Sequence, residues 1–455
     1  MESKRISRRS FMGRAAGATG GLLAGRAIQL EASAPEPVPA RPAAASDTIR
    51  FGIIGVGMRG SGLLRNAISL PGVECVAACE LYTGRQELAK QIVGKPIQVT
   101  ARYQDLLDNK DIDCIIAPMP DHWHHRIVLE CCQAGKDVYV EKPMTHEVQQ
   151  GFSMIDAAKA HNRIVQVGSQ EPSSVIYQKA RELLRQGVIG DVCLVESSLG
   201  RNNACGAWNY TIPPDLSPKT VDWETWLGPA PKRPFSKVRF TRWRNYSDYG
   251  EGASGDLFIH SLTGIHYAMD VKAPPQRAAT MGGLYRWKDG RDVPDVMTTV
   301  YEYDGFNVTL RVTLNTSDDE IYRFLGTRGI MEIHGIENPS GFTIWPQDGE
   351  NHSPCTPAWP QPMSGDYAKK WHAEHDTPPG QAKPIEASGY YAPDNYNDTR
   401  EHLWNFFQSV KTRRPSVEDA VFGNNAAIAC HMANYSYYNK AVAVWNHEER
   451  KLTSA

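Results

Sequence analysis

Two short segments of this 455-residue chain carry side chains suited to proton transfer at a hydroxyl group. The first is Glu141-Lys142-Pro143, which directly follows the apolar run Val138-Tyr139-Val140. A lysine there stands at the carboxyl end of a buried strand, and proline fixes the backbone after it and removes a donor. On its own the tripeptide also fits a surface lysine before a helix-initiating proline. The second segment is Gly255-Asp256-Leu257-Phe258-Ile259-His260. Asp256 and His260 are four apart, so on a helix they share a face. A carboxylate beside an imidazole orients the ring and stabilises its charged form. Alcohol oxidation needs such a base near neutral pH, because the hydroxyl proton must leave as the hydride departs. A surface pair or a helix cap is the plainer reading. His266 lies off that face and is a weaker candidate.

A hydride acceptor is implied by Ile53-Ile54-Gly55-Val56-Gly57-Met58-Arg59-Gly60. A short apolar run precedes this glycine turn and a helical pattern follows it. Gly55 permits the tight turn, Gly57 lets the backbone approach a pyrophosphate, and Gly60 allows close helix–strand packing. Free N–H groups at the helix start, around Met58 and Arg59, face the anion. A second apolar run, Val73 to Cys79, ends in Glu80, about twenty residues past the last glycine. A carboxylate there suits ribose hydroxyls and favours NAD, while the nearby Arg85 leaves NADP open.

These residues need a scaffold. From Thr48 to about Gly168, buried-strand runs (73–79, 114–117, 138–140, 164–167) alternate with helical patterns (63–68, 82–92, 124–134, 146–161). That order predicts a doubly wound parallel sheet over 48–170, with ligands beyond the carboxyl ends of its strands. Pro120, His122, Trp123, Glu141 and Lys142 lie at such ends, and Gln170 closes the last one. His122 to His125 cannot all converge on one metal ion. Cofactor contact by His122 or Trp123, with His124 and His125 opening a helix, is the better reading, and no metal site is expected.

A helix over 174–185 opens residues 171–455. There 192–197, 295–303, 306–314, 320–325 and 330–334 alternate apolar and polar positions, as in a mostly antiparallel sheet. The expected class is α/β: an N-terminal Rossmann sheet plus a C-terminal α+β domain with a large open sheet. Segments 200–252 and 346–393 read as long irregular insertions, usually binding elements or lids. Arg201, Trp208, Asn209, Tyr210, Arg239, Arg242, Trp243 and Arg244 fall in the first of these. Each suits a sugar or ordinary packing. Helices over 397–413 and 419–442 close the chain and are free to pack back on the first domain.

Residues 1–34 read as an address. Ser7-Arg8-Arg9-Ser10-Phe11-Met12 is a twin-arginine motif, the Gly/Ala-rich stretch after it is too short and polar to span a bilayer, and Ala32-Ser33-Ala34 offers a cleavage site. Residues 35–47 form a Pro/Ala-rich linker. Export to the periplasm would favour a tightly held, recycled cofactor. A net charge of −2 marks neither nucleic acid nor an anionic membrane as a partner, and no further apolar stretch reaches spanning length. Nine cysteines, an odd number without metal spacing, read mainly as small buried hydrophobes.

From the glycine turn through Pro120-Asp121-His122-Trp123-His124, Glu141-Lys142-Pro143 and Asp256-x-x-x-His260, the chain resembles the Gfo/Idh/MocA oxidoreductase family. The resemblance implies that Lys142, Asp256 and His260 surround the reacting carbinol. His260 would be the base, Asp256 would orient it or bind substrate hydroxyls, and Lys142 would meet the reacting oxygen. It also implies a carbohydrate substrate and a homo-oligomer formed through the open sheet face. Two positions depart from the commonest family pattern: Glu80 in place of aspartate, and Thr263 in place of an aspartate three residues after His260. Three functions follow: a nicotinamide-dependent oxidoreductase on a sugar, glycoside or cyclic polyol; a redox-neutral NAD-dependent glycosidase beginning with the same hydride step; or a non-catalytic dinucleotide-binding protein.

Overall fold

The computed structural model describes residues 28–29, 48–347, 354–375 and 387–455. The twin-arginine motif, the cleavage site and the linker lie outside the described residues. Strand β1 (Ile28–Gln29) is the one described piece of the N-terminal region.

The first sheet comprises β2 (Ile49–Ile54), β3 (Val73–Cys79), β4 (Gln98–Thr100), β5 (Cys114–Ala117), β6 (Asp137–Val140) and β7 (Val165–Val167), all parallel in the order β4-β3-β2-β5-β6-β7. Every residue of β5 and β6 is buried, as sheets covered on both faces require. The strand order reverses at β2 and β5, and a crevice opens there beyond the strand ends. Helices follow the expected pattern with shifted starts. The helix after β2 begins at Met58, straight from the glycine turn. The one expected from His146 begins at Gln150, because the Gln150 side chain accepts from the N–H groups of His146 and Glu147 at 3.0 and 3.1 Å and builds a turn instead.

The second sheet has eleven strands. In chain order after β1 they are β8 (Val192–Gly200), β9 (Arg277–Gly283), β10 (Val296–Glu302), β11 (Asn307–Thr313), β12 (Asp318–Gly326), β13 (Gly329–His334), β14 (Gly341–Pro346), β15 (Ser388–Tyr391), β16 (Ala443–Asn446) and β17 (Lys451–Ser454). The spatial order is β1-β15-β14-β13-β12-β8-β11-β10-β9-β16-β17, antiparallel except for β8 beside β11 and β1 beside β15. Alternation sets its two faces. Met297, Thr299 and Tyr301 of β10 point inward, while Val300 is 47% exposed and Met281 of β9 is 84% exposed on the outer side. Helices Val175–Arg185, Ile259–Ala268 and Ala420–Asn439 pack on the inner face.

The closing helices tie the two sheets together. Leu403, Phe406 and Phe407 of helix Asp398–Thr412 join the core of the first domain, with the Phe407 ring 5.7 Å from that of Phe51. The Val167 N–H donates to the Glu418 carbonyl at 3.0 Å. Segment 346–393 is less irregular than expected, since it contains helix Met363–His375 and strand β15.

Candidate active site

The glycine turn is built for close approach. Gly55 has φ +100°, a left-handed value that glycine adopts without strain. A Cβ on Gly60 would stand 2.2 Å from the Gly55 carbonyl oxygen, so only glycine lets helix and turn meet. Gly57 caps the helix with no side-chain hydrogen bond, and its first turn holds no acidic residue. Uncapped N–H groups therefore face the crevice, whose wall includes Gly55, Gly57 and Met58. This cradle fits a dinucleotide pyrophosphate.

Glu80 also lines the crevice, but the turn already uses its carboxylate. Oε2 accepts from the Val56 N–H at 2.7 Å, and Oε1 accepts from the Leu81 and Tyr82 N–H groups at 2.9 and 3.1 Å. Glu80 thus clamps the turn as well as facing the crevice. Arg59 points inward. Its Nε donates to Glu141 Oε1 at 2.7 Å and its terminal nitrogen to Gln170 Oε1 at 3.3 Å. Arg59 and Glu141 reach the crevice wall, whereas Gln170 is buried behind Arg59, away from it.

The expected cofactor contact by His122 is replaced by a structural role. Its Nε2 lies 3.1 Å from the Trp226 carbonyl and its Nδ1 3.4 Å from that of Tyr249, and burial pushes its pKa down to about 4. Trp123 and Pro120 do line the crevice, and the Trp123 indole N–H donates to the Trp226 carbonyl at 2.9 Å. His124 and His125 begin a helix. Among the described residues, no group of three or more His, Cys, Asp or Glu side chains is placed to hold a metal ion.

At the reacting end, the expected contact between Asp256 and His260 is replaced by two separate groups, a trio around Asp256 and a pair at His260. Residues Ser254–Phe258 form a π-helical turn before the α-helix Ile259–Ala268. The Asp256 carboxylate is drawn to two cations and the His260 ring to Glu171, which is the physical reason the pairing fails. Asp256 Oδ1 instead accepts from Lys142 Nζ at 3.0 Å and from Arg244 Nε at 2.8 Å, and Lys142 also donates to the Asp256 carbonyl at 2.7 Å. Burial works against ionisation of Asp256, but Arg244 and Lys142 outweigh it and hold the carboxyl far below the usual range. The Lys142–Pro143 peptide is cis.

His260 is oriented by Glu171, which lies one residue past the first-domain boundary read from the sequence. Its Nδ1 stands 2.8 Å from Glu171 Oε1, and the Thr263 hydroxyl donates to Oε2 at 3.0 Å. A carboxylate oxygen accepts, so Nδ1 carries a proton, and in the neutral ring Nε2 is left with a lone pair. Nε2 points toward Glu337 Oε1, 3.9 Å away. Thr263 is fully buried and supports Glu171. His266 is remote from this chemistry: it is buried against the Tyr303 hydroxyl at 2.8 Å, with its pKa pushed down to about 3 by burial.

Segment 200–252 covers the crevice. Tyr210, Trp226, Phe240, Trp243 and Arg244 form its inner surface. Trp208, Asn209, Arg239 and Arg242 brace the segment from within. Trp208 is buried, Asn209 accepts from Arg242 at 3.3 Å, and Arg239 pairs with Asp248 at 3.0 Å. The cover is fastened beside Glu80: the Thr83 N–H donates to the Thr220 carbonyl at 3.0 Å, the Asp222 N–H to that of Leu81 at 3.1 Å, and the Tyr82 hydroxyl to Asp215 at 2.5 Å.

Residues 49–169 match the model of an oxidoreductase family, the NAD-binding Rossmann fold of Gfo/Idh/MocA proteins, and residues 178–281 match that family's C-terminal alpha/beta domain. By both of its domains, the chain belongs to the Gfo/Idh/MocA family. Among solved structures, it is similar to an aldose-aldose oxidoreductase from Caulobacter crescentus complexed with glycerol (TM-score 0.63, 18% identity, 87% of this chain and 99% of that one). It is equally similar to a levoglucosan dehydrogenase in complex with NADH and levoglucosan (TM-score 0.63, 15% identity, 87% and 98%). At such identities the likeness shows the fold. Among curated relatives, a glycosyl hydrolase family 109 protein from Shewanella pealeana is 31% identical over 210 residues, and an alpha-N-acetylgalactosaminidase from Shewanella oneidensis is 29% identical over 207. Each alignment covers 41% of this chain, which thus spans less than half (44%) of each relative's length.

Proposed function

We propose that this chain is an NAD-dependent enzyme that moves a hydride between a ring carbinol carbon of a sugar, glycoside or cyclic polyol and a nicotinamide held in the covered crevice. The observation that carries this reading is the reacting end itself. His260 has its Nδ1 proton held by Glu171 and its Nε2 left without a bond inside 3.5 Å among the described residues, while Lys142 is held on Asp256, four residues before it in the chain. His260 takes the hydroxyl proton at Nε2. Lys142 and Arg244 share the Asp256 carboxylate, so two cations stand together beside the place where an alkoxide develops. A bound nicotinamide supplies the acceptor for the two electrons. On this reading Lys142 and His260 are catalytic, Asp256 tunes the cations, and Glu171 positions the base.

A second reading shares every one of these groups. Transient oxidation of a ring hydroxyl acidifies the neighbouring C–H, so an aglycone can be eliminated, water added and the ring reduced again. The curated relatives named as glycosidases favour it. One experiment separates the two. Purified protein is given monosaccharides and aryl glycosides, with and without NAD, and nicotinamide reduction and aglycone release are followed together. Reduced cofactor accumulating with one sugar identifies a dehydrogenase. Aglycone release that needs NAD but leaves its redox state unchanged identifies a glycosidase.

We further propose export by the twin-arginine route with the cofactor already bound. The motif at Ser7–Met12 supports export, and the fastened cover over the crevice supports slow cofactor loss. The outer sheet face, with Met281 84% and Val300 47% exposed, supports pairing of copies.

A further inference from the structure

The geometry around His260 points to a second recognition group, Glu337, and we propose that it reads the hydroxyl next to the one oxidised, so that the site is built for a vicinal pair of hydrogen-bond donors on a ring. The proposal rests on the hydride-transfer reading above and narrows its substrate class. Glu337 lies in the loop joining β13 to β14, far in sequence from every motif. Its place is fixed by its neighbours: Ile336 is buried in the sheet core, and its N–H donates to Glu320 Oε2 at 2.8 Å. Arg201, just after β8, donates to Glu337 Oε1 at 2.8 Å.

The argument turns on donors and acceptors. Glu171 accepts at Nδ1 of His260, so in the neutral ring, the form that can take a hydroxyl proton, Nε2 is an acceptor. Glu337 is an acceptor too. It already accepts from Arg201, whose guanidinium favours its charged form. Two acceptors 3.9 Å apart cannot satisfy each other. One hydroxyl has a single proton and can serve only one of them. Two adjacent donors serve both, one proton toward Nε2 and the other toward the carboxylate. Arg201 uses part of one Glu337 oxygen, but a carboxylate offers about four lone-pair sites. The Glu337 side chain stays 35% exposed and that of Arg201 26%, so a ring can reach them.

The test compares a sugar that the protein turns over with its analogue lacking the hydroxyl adjacent to the oxidised carbon. Both are assayed with the NAD-loaded wild type and with the Glu337→Ala and Glu337→Gln variants. A charge-assisted hydrogen bond predicts that the wild type favours the parent by roughly 10- to 100-fold in kcat/KM. In Glu337→Ala the preference should shrink below about 3-fold, with Glu337→Gln between. Quenching of protein fluorescence by bound NADH should be unchanged in both variants. Full discrimination retained by Glu337→Ala overturns this inference alone. No turnover and no binding of any sugar by the wild type overturns the carbohydrate reading, and the inference with it.

Discussion

Lys142 Nζ and Arg244 Nε share one oxygen of Asp256, at 3.0 and 2.8 Å. One anion thus faces two cations at the crevice wall. Asp256→Asn keeps the shape and removes the charge. Breaking a buried pair by deleting one partner costs about 3–5 kcal/mol. The variant should lose stability of that order in denaturant unfolding and lose turnover as Lys142 shifts. Unchanged unfolding and turnover would mean that the trio is a solvated surface cluster.

Glu171 is expected to act through His260. In Glu171→Gln the amide can donate to Nδ1 and favour the tautomer that blocks Nε2. Loss of a positioned base costs about 10²–10⁴-fold in rate. We expect His260→Ala to fall in that range in kcat and Glu171→Gln to fall less, with NAD binding intact in both. If Glu171→Gln changes KM for the sugar while kcat holds, Glu171 is a binding group and not an orienting one.

Asp121 supplies a pH test. Burial raises its pKa to about 8, against the lowering effects of the Glu251 N–H and Arg244. An unfolded aspartate titrates near 3.9. The group's contribution to stability is therefore complete below about 3.9 and is lost as pH rises through about 8. Asp121→Asn keeps an acceptor for the Glu251 N–H and cannot ionise. The Tm advantage of the variant over the wild type should grow from pH 4 and level off above about 8. A constant offset across that range argues that Asp121 stays ionised in the fold.

The Tyr82 hydroxyl, bonded to Asp215, fastens the cover beside Glu80. Removing one such bond weakens the closed state by about 1 kcal/mol. Tyr82→Phe should release bound cofactor several-fold faster in stopped-flow displacement, with the sugar turnover rate little altered. Unchanged release would locate the barrier elsewhere.

Five strands of the first sheet were legible because each is a mainly apolar run, and a glycine turn after the first of them fixes where the crevice opens; β4, Gln98-Val99-Thr100, is short and mostly polar and was not read. Lys142 reaches the crevice wall for the same reason: a strand end positions it. The pairing of Asp256 with His260 was misread, because Lys142, Arg244 and Glu171, which take up the two side chains, come from outside that helix. Glu171 and Glu337 gave no local signal. They come to His260 from a short helical turn and a sheet loop, and only the folded chain joins those elements. Strands β14 to β17 were missed because they are short and interrupted by aromatic, proline and polar residues, so their register comes from neighbouring strands. His122 looked like a ligand contact because it sits at a strand end, but its ring serves the cover's backbone carbonyls.

The central claim is hydride transfer from a ring carbinol carbon under the control of His260. The most direct measurement is a single-turnover absorbance trace of the NAD-loaded protein mixed with a substrate sugar, unlabelled and deuterated at the oxidised carbon. The account predicts that reduced nicotinamide forms, at least transiently, more slowly with deuterium, and about 10²–10⁴-fold more slowly in His260→Ala. Substrate converted by the wild type with no reduced nicotinamide at any time, or with no isotope effect and full activity in His260→Ala, would contradict it.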